Sequence, residues 1–165
     1  MHRRDMLLGL GATGFALAGC TAPSDDAVRV PANTTLIMVR HGEKSGLELT
    51  RPGQERAAAL AQRLVDVPLD RVYSTSYKRN VLTAQPVADQ KGLEVETVAD
   101  FDVAPQILAG NGGKTILWVG NKGNLSQMWE AMGLPDPAPL EYGDIAFVRA
   151  DGQGRVSVSL ERFGA

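Results

Sequence analysis

Leu36, Ile37, Met38 and Val39 form an unbroken apolar run that stops abruptly at Arg40, His41, Gly42, Glu43 and Lys44. A run this short, with β-branched members, predicts a buried strand over 35–40. Punctuated runs of the same kind recur along the chain and alternate with apolar residues at helical spacing. Thr50 predicts an N-cap with Pro52 in the first turn of a helix, and Ala57, Leu60, Ala61 and Leu64 fall on one face of it. Residues 70–74 predict a second strand, and 77–90 a helix interrupted by Pro86 and closed by Gly92. A third strand is predicted over 94–98, a short helix around 105–108, and a further strand over 115–120. A helix from about Leu125 to Met132 follows, stopped by Gly133 and Pro135. Residues 145–150 and 155–163 flank Asp151-Gly152-Gln153-Gly154, a hairpin signal that predicts an antiparallel pair at one end of the sheet. The alternation as a whole predicts a three-layer α/β/α domain on a mostly parallel sheet.

Composition narrows the functions open to such a domain. The chain has 165 residues, 44% of them apolar and 22% charged, as in an ordinary globular protein. A formal charge of −2 and an aromatic content of 5% give neither the basic field nor the stacking platform that nucleic acid requires, so no nucleic-acid partner is expected.

The first residues carry a different pattern. Arg3 and Arg4 precede a Gly-interrupted apolar segment, Met6 to Leu17, too short to span a bilayer comfortably. It ends in Leu17-Ala18-Gly19-Cys20, which resembles a bacterial lipobox, while Arg3-Arg4-Asp5-Met6-Leu7 resembles a twin-arginine export signal. The expectation is a signal peptide over 1–19, a lipidated Cys20 with a polar tether over 20–33, and a domain over 34–165. That places the protein on the periplasmic face of the bacterial cell envelope, held to a membrane through lipid on Cys20. Cleavage after Gly19 would remove His2 and leave His41 as the only histidine.

The candidate chemistry lies where the first strand ends. In open α/β sheets ligands bind at the carboxyl ends of the strands. Arg40 can fork onto a phosphate or carboxylate, Gly42 lets the backbone close around an anion, and His41 is a candidate nucleophile. One histidine, a lipidated cysteine and scattered carboxylates offer no familiar metal-ligand spacing, so no metal is expected.

Arg40-His41-Gly42 after a strand resembles the signature of the histidine phosphatase superfamily, the phosphoglycerate-mutase-like fold. Tyr73-Ser74-Thr75-Ser76-Tyr77-Lys78-Arg79 with Thr83-Ala84 resembles its second phosphate-arginine segment. The helix opening at Thr50-Arg51-Pro52-Gly53 and the strand end at Val119-Gly120 fall in the same order. The shortness of the chain resembles the phosphohistidine-phosphatase-like branch. The resemblance implies a cofactor-independent phosphomonoester hydrolase in which His41 carries a transient phosphoryl group, Arg40 and Arg79 hold the phosphate oxygens, and a small phosphorylated or anionic molecule is the substrate.

One position departs from that pattern. The slot after Gly120, where such proteins place a second histidine, holds Asn121. Its amide can still donate one neutral hydrogen bond to a phosphate oxygen, but it brings no positive charge, which Lys122 or Lys44 could supply. Impaired catalysis is therefore expected, and the alternative is a catalytically silent phosphate- or anion-binding envelope lipoprotein of the same fold. For the general acid, Asp100, Asp102 and Glu43 all lie in suitable regions, and Asp102 is taken as the candidate.

Overall fold

The computed structural model describes residues 27–164. The signal segment, Cys20 and the first part of the tether lie outside the described residues. Six strands form the main sheet in the order β5 (Val95–Val98), β4 (Arg71–Thr75), β6 (Thr115–Gly120), β1 (Thr35–Arg40), β7 (Asp144–Ala150) and β8 (Val156–Arg162). Strands β5, β4, β6 and β1 run parallel, with Arg40 paired to Gly120, and β7 and β8 complete the sheet as antiparallel neighbours. Two residues each of β2 (Lys44–Ser45) and β3 (Glu48–Leu49) make a small hairpin directly after β1 that the hydrophobic pattern does not announce.

The period of two along β1 divides the core. Leu36 and Met38 face one layer, built from α3 (Val103–Leu108) and α4 (Lys122–Ala131), where they pack with Ile107, Trp118, Leu125, Met128 and Trp129. Ile37 and Val39 face the other, built from α1 (Arg51–Arg63) and α2 (Lys78–Lys91), where they meet Leu60, Leu64, Ala84, Val87 and Ala88. All four β1 residues are fully buried. Burying a side chain of that size is worth about 1.5–3 kcal/mol, so this one strand anchors both layers. The fold is the three-layer α/β/α arrangement expected.

Three expectations need adjustment. Pro86 does not interrupt α2, which runs unbroken from Lys78 to Lys91 before Gly92 closes it in the left-handed conformation. A proline inside a helix costs about 3 kcal/mol; here the buried Ala84, Val87 and Ala88 hold the flanking turns against the sheet. Helix α4 starts three residues earlier than its apolar pattern suggests, because Asn121 caps it. The tether ends sooner than expected. Val30 is buried, Val28 packs on the core, and the Val28 amide donates to the Ala131 carbonyl at 2.8 Å. Among the described residues no helix is long and apolar enough to cross a membrane.

Candidate active site

Strands β1, β4 and β6 end side by side, and the segments leaving them build one site. The turn after β1 is pressed onto the N-terminus of α1. The Thr50 amide donates to the Glu43 carbonyl at 2.9 Å, and the Thr50 hydroxyl caps Gly53. The fit depends on two glycines: a Cβ on Gly42 would sit 2.6 Å from the Gly53 carbonyl oxygen, and one on Gly53 would sit 2.1 Å from that of Glu43. On its other side the turn is pinned to α2. The Gly42 amide donates to Thr83 Oγ1 at 3.0 Å, and that hydroxyl donates to the Arg79 carbonyl at 2.8 Å. The first turn of α2 thereby fixes the turn carrying His41 and the residue that faces it.

His41 is 2% exposed. Its Nδ1 lies 2.8 Å from the Gly42 carbonyl oxygen, and its Nε2 lies 3.2 Å from Arg79 Nε. A guanidinium can only donate, so Nε2 accepts and the ring proton rests on Nδ1, shared with the Gly42 carbonyl. Burial pushes the imidazole below its usual pKa of 6.5; the Gly42 carbonyl pulls it back, while Arg79, Arg40 and Lys44 push it down further. The ring is held neutral, with a lone pair on Nε2 directed at a cation. That is the protonation state a nitrogen nucleophile requires.

Both predicted phosphate arginines reach this point. Arg40 donates from Nη1 to the Leu140 carbonyl at 3.2 Å, while its buried Nε–H meets no acceptor. The Tyr142 ring lies 3.8 Å from Arg40 Cζ and 6.0 Å from the imidazole, and the Tyr77 ring lies 4.7 Å from Arg79 Cζ. Among the described residues no carboxylate forms an ion pair with Arg40 or Arg79. Two guanidinium groups beside a neutral imidazole make a site that an anion completes.

The remaining candidates fare differently. Asn121 stands beside this cluster, one residue past the Gly120 that pairs with Arg40. Its Oδ1 accepts from the Asn124 amide at 3.1 Å in a reciprocal capping box, leaving only its Nδ2 to donate outward. Asp102 is not brought to His41. It takes a left-handed conformation as the N-cap of α3 and lines a recess with Val28, Gln127, Met128 and Ala131, on the later turns of α4. The reason is local: four residues separate the end of β5 from α3 and carry Asp102 onto the α4 layer. Glu43 is held by Arg56 through contacts of 2.6 and 3.0 Å, which lower the pKa of its carboxyl and keep it ionised. Lys122 pairs with Glu141 at 2.8 Å, so its charge is already matched; exposed Lys44 is the lysine whose field reaches the imidazole.

Leu140 and Tyr142 had no signal in the sequence. They lie about a hundred positions after Arg40 and become its neighbours only because β7 pairs with β1.

Residues 36–102 match the model of the histidine phosphatase superfamily, branch 1. A 71-residue stretch is 41% identical to phosphoserine phosphatase 1 of Hydrogenobacter thermophilus, covering 36% of this chain and 34% of the relative, so the match spans about a third of that protein. Among solved structures, YhfR of Bacillus stearothermophilus superposes with a TM-score of 0.64 at 20% identity, over 78% of this chain and 96% of that one. The protein histidine phosphatase SixA complexed with tungstate gives 0.61 at 20% identity over the same shares. A mycobacterial glucosyl-3-phosphoglycerate phosphatase gives 0.59 at 16% identity, over 79% of this chain and 98% of that one. Residues 36–102, which hold Arg40, His41 and Arg79, thus match the histidine phosphatase superfamily model, and the fold is shared with these solved structures.

Proposed function

We propose that this domain is a phosphomonoester hydrolase working through a phosphohistidine on His41. The observation that carries the reading is the 3.2 Å approach of Arg79 Nε to the unprotonated Nε2 of a buried imidazole, with the second guanidinium close by. In the first step Nε2 attacks phosphorus as the bond to the leaving oxygen breaks, while Arg40 and Arg79 match the charge on the phosphate oxygens. In the second, water attacks phosphorus, the P–N bond breaks, and inorganic phosphate leaves with His41 restored. No cofactor takes part in either step. We place the protein at the periplasmic face of a bacterial envelope, anchored through lipid on Cys20, because of the Leu17-Ala18-Gly19-Cys20 segment.

A second reading has one specific observation in its favour. Asn121 stands in the second-histidine slot and its side chain caps α4, so the pocket has a neutral donor there in place of an imidazole. The second reading is a silent anion binder. One pair of measurements separates the two. Hydrolysis of an aryl phosphate by the full chain, rising about 10²-fold in Asn121→His as a preorganised donor is restored, supports the hydrolase. Protein that is inert before and after that change, yet stabilised against heat by tungstate in an Arg79-dependent way, is a binder.

The lowered imidazole pKa gives a pH expectation. Nucleophilic attack needs the neutral ring, and depression of its pKa keeps it neutral to lower pH. kcat/KM for an aryl phosphate is therefore expected to hold as pH falls through 6.5 and to drop only below it. An acid limb centred above 6.5 would contradict the burial and the cationic field around His41.

A further inference from the structure

We infer that the pocket selects phosphate esters of flat unsaturated rings, aryl phosphates, over those of alkyl alcohols. The inference rests on the hydrolase reading for its turnover arm, though not for its binding arm. Three independent observations converge on it.

The first is that each phosphate arginine carries an aromatic ring. Tyr77 packs on the Arg79 guanidinium and Tyr142 on that of Arg40, so a tyrosine stands beside each of the two cations near His41. Tyr77 remains 42% exposed even though one side of its ring covers a guanidinium. The exposed part of Tyr77 is the ring surface open to an ester group on a phosphate held by Arg79, and aromatic faces favour an offset or edge-on ring partner.

The second is the apolar rim. Leu47, at the tip of the β2–β3 hairpin, is 68% exposed, and the hairpin is tied to the first turn of α2 by the Lys78–Glu48 ion pair. This sets a solvent-facing leucine on the hairpin beside the turn that carries Tyr77 and Arg79.

The third concerns the leaving group. Glu43 is ionised on Arg56, Glu141 is held ionised chiefly by its hydrogen bond to Lys122, and Asp102 lines a separate recess. Neither ion-paired glutamate is poised to protonate a leaving oxygen, which favours esters whose leaving group can depart as an anion and take its proton from water. A phenol, with a pKa near that of tyrosine at about 10, leaves this way far more readily than an alkanol, a far weaker acid. Ring recognition and unassisted departure point to the same esters.

The binding arm compares phenylphosphonate with methylphosphonate by calorimetry on the full chain, since neither is hydrolysed. Phenylphosphonate is expected to bind about tenfold tighter, the worth of one good aromatic contact. The preference should survive Tyr77→Phe and fall to near unity in Tyr77→Ala. Equal affinities in the parent chain, or a preference untouched by Tyr77→Ala, overturn the inference, as does failure of both phosphonates to bind. The turnover arm measures kcat/KM across substituted phenyl phosphates: a steep rise with leaving-group acidity supports unassisted departure, and a flat profile refutes it. If no ester turns over while the phosphonate preference holds, the hydrolase reading falls and the aromatic selectivity stands.

Discussion

Alanine in place of His41 is expected to reduce hydrolysis of an aryl phosphate by on the order of 10⁴-fold or more, the scale on which removing a catalytic nucleophile acts. The size of the loss follows from the surroundings. The ring is buried, neutral and 3.2 Å from the guanidinium that would steady the phosphate, and no other histidine occurs among the described residues. Water in the vacated space lacks both the fixed position and the nucleophilicity of an imidazole nitrogen. Rapid acid-free quenching of the parent chain should trap a phosphoryl group that is stable to base and labile to acid, and the variant should trap none. Tungstate should still stabilise the variant, because Arg40 and Arg79 remain to hold it. Activity in the variant within tenfold of the parent would mean that the phosphoryl group never rests on this ring.

The second large effect concerns a residue that touches no substrate. Gly53→Ala is expected to destabilise the fold by about 3 kcal/mol, the upper range for forcing extra atoms into a packed site. That corresponds to a drop in Tm on the order of 10 °C for a domain of this size. The new methyl would sit 2.1 Å from the Glu43 carbonyl oxygen and 2.9 Å from the Glu43 amide nitrogen. Neither is a side chain that can rotate aside, so the backbone of the turn carrying His41 must retreat from α1. Activity is expected to fall together with stability. Gly112→Ala is the control: its added carbon meets only Pro31 Cβ at 3.5 Å, an ordinary contact, and Tm should move by no more than a degree or two. Equal melting of the two variants would refute the close approach of turn and helix.

The order and nature of the long elements were legible because they rest on periodicity. β1 alternates between two helical layers, and Leu36 through Val39 show it as a solid apolar run, the mark of a strand covered on both faces. The convergence of His41 with Arg40 and Arg79 was also legible, since each sits in a compact local motif close after a strand. What escaped depended on distance in the chain. Tyr142 meets Arg40 only through the antiparallel pairing of β7 with β1. Gly53 reads as one residue of a helix opening until the turn after β1 is laid against it. The surroundings of Asp102 escaped for a related reason: its place after β5 was clear, but the left-handed turn that carries it onto the α4 layer leaves no mark in residue type. Pro86 was misread because a local rule was outweighed by burial of its neighbours.

The proton on His41 rests against a main-chain oxygen, that of Gly42. In many imidazole sites a carboxylate fills this office, and one substitution can dismiss it. Here the ring's orientation is inherited from the chain's own path, so it is sheltered from mutation everywhere except at the glycine. Substituting the side chain at position 121 therefore leaves the Nδ1 proton where the main chain holds it.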